Sequence, residues 1–377
     1  MIDATRLRQT FLDLVAFDSP PGQEGPVSRW CAEVLHECGF VVQHDEAGNL
    51  IAQKSGAVSE AQRIFFSGHV DTVRPTEGLV VREDDGVFRT SGDTILGADD
   101  KCAVAAILEG VRVLGEQDVP HGDLQVILSV GEEVGLVGAR ALATEVIAGG
   151  IGFVLDAEGP PGGIISSAPT HRVLIATCRG RAAHAGFEPE KGVSAIQIAA
   201  RAIDRMRLGR IDPETTANVG IVQGGTATNI VAEEATVRFE ARSRNEATLA
   251  AQVSHMRQTL ETAARDLGGA VEIEERQVYR TYRFTEDDAP VRIAREAWAR
   301  VVGEDGEPAR FQPTGGGSDG SVFNARGVPS LVLTCGYYLP HGVHEWTTLR
   351  DMEQCARWVV EIARAAAGGR ARDELPA

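Results

Sequence analysis

A few side chains in the first half of this sequence could do chemistry together. His69 and Asp71 stand in Gly-His-Val-Asp-Thr and Asp99 in Leu-Gly-Ala-Asp-Asp-Lys. Glu132 and Glu133 stand in Gly-Glu-Glu-Val-Gly, and Asp156 in Val-Leu-Asp-Ala-Glu. Each cluster follows an apolar run, so each reads as a strand that ends in polar side chains. An imidazole gathered with so many carboxylates is self-repelling at neutral pH unless cations sit among them, and this donor set suits Zn, Mn or Co. The spacing therefore points to a metal centre.

Taken singly, each residue has a plainer reading. His69 and Asp71 lie on one side of a strand of period two, so Asp71 could orient His69, or the pair could be a solvated strand end. Asp99, placed before an apolar-periodic run, could be a helix N-cap. A carboxylate at such a loop-to-helix junction can also bridge two cations about 3.5–4 Å apart, as a dinuclear hydrolase requires. Glu132 and Glu133 could be surface charge. At the end of an apolar strand, however, adjacent side chains diverge, and one can ligate while its neighbour serves as general base. Several such clusters in succession favour the chemical reading.

The elements that must position these groups alternate. Helical spacing over residues 4–17 and 25–38 is interrupted by Asp18-Ser-Pro-Pro-Gly, whose prolines stop a helix. Residues 40–44 and 49–53 read as a hairpin, 63–67 as a buried strand and 79–89 as an acidic hairpin, with a glycine-bearing loop at 91–97. Helix is expected over 101–114, strand over 124–130, helix over 137–148 and strand over 151–155. This is the texture of an α/β layered mixed sheet. After Asp156 the order becomes strand 172–178, helix 193–206, strands 218–222 and 236–241, helix 249–267 and strand 271–279. That β-α-β-β-α-β order is a ferredoxin-like α+β unit. Helix 289–301, the loop Thr314-Gly-Gly-Gly-Ser-Asp-Gly, strand 330–334 and helix 350–366 then resume the first pattern, and residues 370–377 should fray. The expected organisation is a catalytic domain over 1–170 and 284–377 with a domain inserted at 171–283.

Composition narrows the class. With 377 residues, 43% of them hydrophobic, the chain can bury a large core. There is no run of 18 apolar residues and no apolar signal core at the amino terminus, so a cytoplasmic protein is expected. The six cysteines are scattered without Cys-x-x-Cys spacing and read as free thiols. A net charge of −17 disfavours nucleic acid and anionic membranes as partners.

Seven motifs in order carry a resemblance that covers nearly the whole chain. They are Gly-His-Val-Asp-Thr, Gly-Ala-Asp-Asp-Lys, Gly-Glu-Glu-Val-Gly, Leu-Asp-Ala-Glu-Gly, Ala-Ala-His-Ala-Gly, Gly-Gly-Ser-Asp-Gly and His-Gly-Val-His-Glu. The sequence resembles the dizinc exopeptidase family that includes peptidase T, glutamate carboxypeptidase, aminoacylase and succinyl-diaminopimelate desuccinylase, and is most similar to the peptidase T-like members. The resemblance implies two divalent metal ions, Zn first, with Co or Mn as alternatives. His69 and Asp156 would complete one site, Glu133 and His341 the other, and Asp99 would bridge them; the resemblance also implies a cis Asp99–Asp100 peptide. Asp156 is preferred to Glu158, and His341, four residues before Glu345, is preferred to His344, which becomes a candidate for touching substrate. Glu132 would shuttle the proton and Asp71 would orient His69.

The same resemblance implies that His184 of the inserted domain reaches the active site of a partner subunit in a homodimer, and that Asn229 meets substrate. His184 could equally stand in a polar turn, and Asn229 could be a turn residue. Arg280 or Arg283 could hold a substrate carboxylate, a bidentate task suited to guanidinium. Gly316, within its glycine run, would let a substrate backbone approach closely, although such a run is often only a flexible loop. The implied activity is hydrolysis of a short peptide by a metal-dependent aminopeptidase. An N-acyl-amino-acid deacylase or carboxypeptidase with the same centre is the alternative, and an inactive peptide-binding protein of this fold is the non-enzymatic one.

Overall fold

The computed structural model describes residues 1–368, and the end expected to fray, residues 370–377, lies outside the described residues. The chain divides into two compact units. One comprises Met1–Ser166, Arg283–Pro313 and Ser318–Ala377, and the other Ser167–Tyr282 and Thr314–Gly317.

In the first unit, the apolar runs Ile64–His69 and Leu124–Ser129 are strands buried at every residue, as expected of strands covered on both faces. They belong to a mixed sheet in the order Val41–His44, Leu50–Lys54, Leu124–Ser129, Ile64–His69, Ile151–Ala157, Ser330–Thr334, Gly163–Ala168, Tyr282–Arg283. Arg310–Pro313 pairs beside Gly163–Ala168. Leu124–Ser129, Ile64–His69, Ile151–Ala157 and Ser330–Thr334 run parallel, so their carboxyl ends lie along one edge. Ligand sites of open α/β sheets form at that edge.

The helix Ala98–Glu116 is buried almost all round. It packs on Leu349–Ala366, and a Cβ added at Gly110 would lie 2.6 Å from Val359 Cγ1, so glycine permits this approach. Trp298 and Trp358 pack at 5.0 Å between centroids, and the Trp358 indole donates to the Ala294 carbonyl. The expected acidic hairpin forms from Val81–Asp84 and Val87–Thr90. It joins Trp346–Thr348 and Tyr337–Tyr338 in a separate antiparallel sheet that frames residues 339–345.

One expected element is divided. Residues 137–148 form two short helices, Val137–Ala141 and Thr144–Ile147, separated by extended backbone at Leu142 and Ala143. The Arg326 guanidinium takes the carbonyls of Arg140 and Leu142 that the break releases. No local pattern announces a partner 184 residues away.

The second unit has the antiparallel order Gly209–Asp212, Thr215–Gly224, Glu234–Ser243, Thr170–Arg179, Ala270–Tyr279, with helices Ala195–Arg205 and Glu246–Leu267. Leaving aside the short edge strand Gly209–Asp212, which was not expected, this is the ferredoxin-like arrangement. The longer helix begins at Asn245, whose side chain accepts from the N–H groups of Ala247 and Thr248, and ends at Gly268 with φ +76°. Leu174, Ile198, Val237, Phe239, Met256 and Leu260 share its core. Residues 314–317, expected with the closing segment, cluster with this unit: Thr314 bonds to Ser167 and Arg244, and a Cβ on Gly317 would meet the Tyr279 ring.

All six cysteines are unpaired, as their scatter predicts. Among the described residues no helix is long and apolar enough to cross a membrane.

Candidate metal centre

The carboxyl ends of three parallel strands deliver most of the ligand candidates. His69 ends the strand Ile64–His69, Glu132 and Glu133 follow the strand Leu124–Ser129, and Asp156 lies in Ile151–Ala157. The turn after Ser129 is fixed from outside. Gly131 N–H donates to Glu24 at 3.1 Å, and the two Asp71 oxygens accept from Glu132 N at 3.0 Å and Glu133 N at 3.1 Å. Burial opposes the charge on Asp71, but His69 and these two N–H groups outweigh it and hold its carboxyl below the ordinary range. His69 Nδ1 lies 2.9 Å from the Asp71 carbonyl, so that nitrogen carries the proton and Nε2 faces the other acids.

Asp99 stands between two histidines. The Asp99–Asp100 peptide is cis. Asp99 Oδ1 lies 3.3 Å from His69 Nε2, and Oδ2 lies 3.3 Å from His341 Nε2. Asp156 Oδ1 is 3.9 Å from His69 Nε2, and Glu133 Oε1 is 3.0 Å from His341 Nε2. Two donor sets therefore share one carboxylate: His69, Asp99 and Asp156, and Asp99, Glu133 and His341, with the candidate ligand atoms of each set within 4.8 Å of one another. A third grouping brings Glu132 and Glu133 to His69.

The donors fit divalent cations on two counts. Glu133 Oε1 is buried and accepts no aligned hydrogen bond, although His341 Nε2 is close, as expected of atoms aimed at a common point and not at each other. The charge balance agrees. Burial, followed by Asp156, pushes Glu132 well above the usual carboxylate range; burial does the same to Asp156 itself and raises Asp319 to about 6. The carboxylates outnumber the imidazoles that could neutralise them, so positive charge is what this cluster lacks. His341, held by Asp99 and then Glu133, is pushed up to about 10 for the same reason.

Several supporting residues carried no sequence signal or only a weak one. Tyr337 donates to Asp156 Oδ1 at 3.3 Å, and Ser129 donates to Asp319, which stands in the Gly-Gly-Ser-Asp-Gly motif. Glu158 accepts from Leu339 N–H at 3.0 Å and so braces the His341 loop, whereas Asp156 belongs to the donor set. Glu345, expected only as a spacing landmark, is 1% exposed and accepts from Gly97 N–H and Asp99 N–H. Burial pushes its pKa up to about 7 against the pull of those donors. His344 is exposed on the same loop, and Arg283 is exposed where the chain re-enters this unit.

The second unit holds the other candidates. His184 is exposed; its Nδ1 accepts from Gly186 N–H and Phe187 N–H, which leaves the proton on Nε2 as an outward donor. Its ring packs edge-on against Phe187. Asn229 lies beside it, with its carbonyl accepting from Ala185 N–H. Arg280 is exposed and Gly316 half-buried, with the Gly316 N–H donating to Thr314 Oγ1.

Comparison with known proteins gives a consistent placement. A family model described as the peptidase dimerisation domain of the M20 type matches residues 173–267, and the model of peptidase family M28 matches residues 49–175. An uncharacterised protein, YqjE, of Bacillus subtilis strain 168 is 40% identical over 97% of this chain and its own full length. The crystal structure of aminopeptidase PepT from Bacillus cereus is 39% identical over 97% of this chain and 99% of that one, with a TM-score of 0.87. That of a tripeptidase from Staphylococcus aureus is 39% identical over 98% and 100%, with a TM-score of 0.91. The shared fold and this similarity along the full length together show that the chain belongs to the M20 family of metallopeptidases, close to peptidase T.

Proposed function

We propose that this protein is a cytoplasmic aminopeptidase that cleaves short peptides, tripeptides among them, at a dinuclear centre whose first-choice metal is Zn. The observation that carries the reading is the placement of Asp99, with one oxygen toward His69 and the other toward His341. His69, Asp99 and Asp156 would hold one cation, and Asp99, Glu133 and His341 the other. Bound there, two divalent cations supply a Lewis acid for the scissile carbonyl and bring a water's pKa toward neutrality.

The chain's own groups do the rest. Glu132 takes a proton from the attacking water and returns it to the leaving amine, from a turn whose backbone Asp71 holds in place. Asp71 fixes the turn that carries Glu132 and sets the tautomer of His69. His184 presents an N–H donor suited to an oxyanion. Its place in the segment that matches a peptidase dimerisation domain supports a homodimer in which each protomer lends His184 to its partner. Asn229, Arg280, Arg283, Gly316 and His344 are the candidates for contacting the rest of the peptide.

The deciding experiment sets di- and tripeptides with free amino termini beside N-acetyl amino acids and amino-blocked peptides, with Zn, Co or Mn supplied. Preferred release of the amino-terminal residue from tripeptides is expected. Turnover of N-acetyl amino acids with none of free peptides overturns the reading in favour of a deacylase.

A further inference from the structure

Glu345 takes part in no step described above, yet its surroundings are unusually specific. It is 1% exposed, and a bare carboxylate at that depth costs several kcal/mol, roughly, unless it is paired or hydrogen-bonded. The compensation comes from backbone. Oε2 accepts from Gly97 N–H at 2.7 Å and Oε1 from Asp99 N–H at 2.8 Å. Gly97 has φ +74°, and Asp99 is non-helical with ψ 105°, ahead of the regular turns of Ala98–Glu116, so these N–H groups form a concave anion nest in the turn that leads into the helix. The anion that fills this nest belongs to the chain itself, 246 residues beyond Asp99.

The position of Glu345 gives that contact a second meaning. Four residues upstream on the same loop is His341, which has φ +64° and a half-exposed ring, and whose partners are Asp99 Oδ2 and Glu133 Oε1. Glu345 thus grips the backbone of Asp99 while carrying the histidine that faces the Asp99 side chain. On the opposite side, His69 is rooted in a buried strand and fixed by Asp71, and Asp156 is held by Tyr337. Those two need no help from Glu345. We propose that Glu345 is a positioning residue that sets Asp99 against His341 and thereby governs cation affinity at Asp99/Glu133/His341 much more than at His69/Asp99/Asp156. The inference rests on the dinuclear reading of the centre.

The test is calorimetric titration of chelator-treated full-length protein with Zn²⁺ alone, which reads affinity and stoichiometry without turnover. Wild type should take about two equivalents. Glu345→Gln keeps the shape but sets an amide N–H₂ against a backbone donor. It should weaken one equivalent by roughly 10–100-fold, the range for losing a group that supports a ligand, and leave the other within about threefold. Thr347→Val, which removes a buried hydroxyl on the adjacent strand bonded to Gly336, should lower the melting temperature and leave both equivalents in place. In a His341→Ala background, adding Glu345→Gln should not change the affinity of the remaining equivalent.

If Glu345→Gln does not fold, Glu345→Asp retains the charge, retracts it by one methylene, and must show the same selectivity. Two unaltered equivalents in a folded Glu345 variant, or equal weakening of both, overturns the proposal and leaves the dinuclear reading intact. Fewer than two equivalents in wild type overturns both.

Discussion

Carboxylates shielded from solvent, half-buried Glu240 in one case and the strand-end cluster in the other, are handled in opposite ways by the two units. In the second, Glu240 gives one oxygen to His171 at 2.8 Å and receives Arg242 through both Nε and Nη2, while Arg242 Nη1 reaches the Tyr279 hydroxyl. His171 and Arg242 pull Glu240 down to about 2 against the cost of burial. In the first, Glu132, Asp156 and Asp100 are all pushed well above their usual range, by burial first and then by neighbouring acids, Asp156 in the case of Glu132 and Asp100. A carboxylate whose counter-charge is supplied by the chain is a finished structural element. A cluster whose counter-charge is missing is built to receive one. The contrast separates Glu240, neutralised within the chain, from Glu132 and Asp156, which are not.

Removing the metal strikes at that contrast most directly. Exhaustive chelation should abolish peptide hydrolysis, and Zn, Co or Mn should restore it, while the circular dichroism of the ferredoxin-like unit stays unchanged. Full turnover by protein shown to be metal-free through elemental analysis would end the metal reading. Next in size is the division of labour between adjacent acids. Glu132→Ala should cost roughly 10²–10⁴ in kcat with about two metals retained, and Glu133→Ala should lose metal, because only Glu133 completes the set with Asp99 and His341. Equal metal loss in the two variants would erase the assignment.

The contrast also explains what the sequence could and could not reveal. The acids at the strand ends were legible because each closes an apolar run, and parallel strands bring their carboxyl ends to one edge whatever the details of packing. The ferredoxin-like unit was legible from alternation of two-residue and helical periods. Glu345, Tyr337 and Arg326 were not, since each works through a contact far away in sequence that no local pattern encodes. The edge strand Gly209–Asp212 is too short and too exposed for its composition to mark it. His171, Glu240 and Arg242 are a third kind: their mutual pairing depends on strand register, with Glu240 opposite Val173 and Arg242 opposite His171.

His184 tests whether the second unit also supplies chemistry. Its outward N–H is held by two backbone donors on Nδ1, so His184→Ala should lower kcat by about 100–1,000-fold, the range for one oxyanion donor, with metal content unaltered. Mixing Glu132→Ala with His184→Ala under conditions that exchange subunits should restore activity, because one site of the mixed dimer then holds an intact Glu132 and the partner's intact His184. Proven exchange without recovery would confine His184 to its own protomer or exclude it.

The smallest expected effect concerns the finished network. Because the folded-state pKa of Glu240 is depressed to about 2, from 4.5 as its ordinary value, its contribution to stability is fully present above about pH 4.5 and is lost as pH falls through the interval toward 2. Discounted for its partial exposure, that contribution is about 1–2 kcal/mol. Glu240→Gln should therefore lower stability to urea by that amount at pH 6, and the difference from wild type should shrink steadily below pH 4.5 and vanish near pH 2. Working with the difference removes the acid sensitivity of the metal centre, which both proteins share. Adding saturating Zn should leave the gap at pH 6 unchanged, since Glu240 has its counter-charge within the chain. A gap that stays constant from pH 6 to pH 2 would mean that Glu240 acts by shape alone, and the division between self-neutralised and metal-seeking carboxylates would then rest on the first unit only.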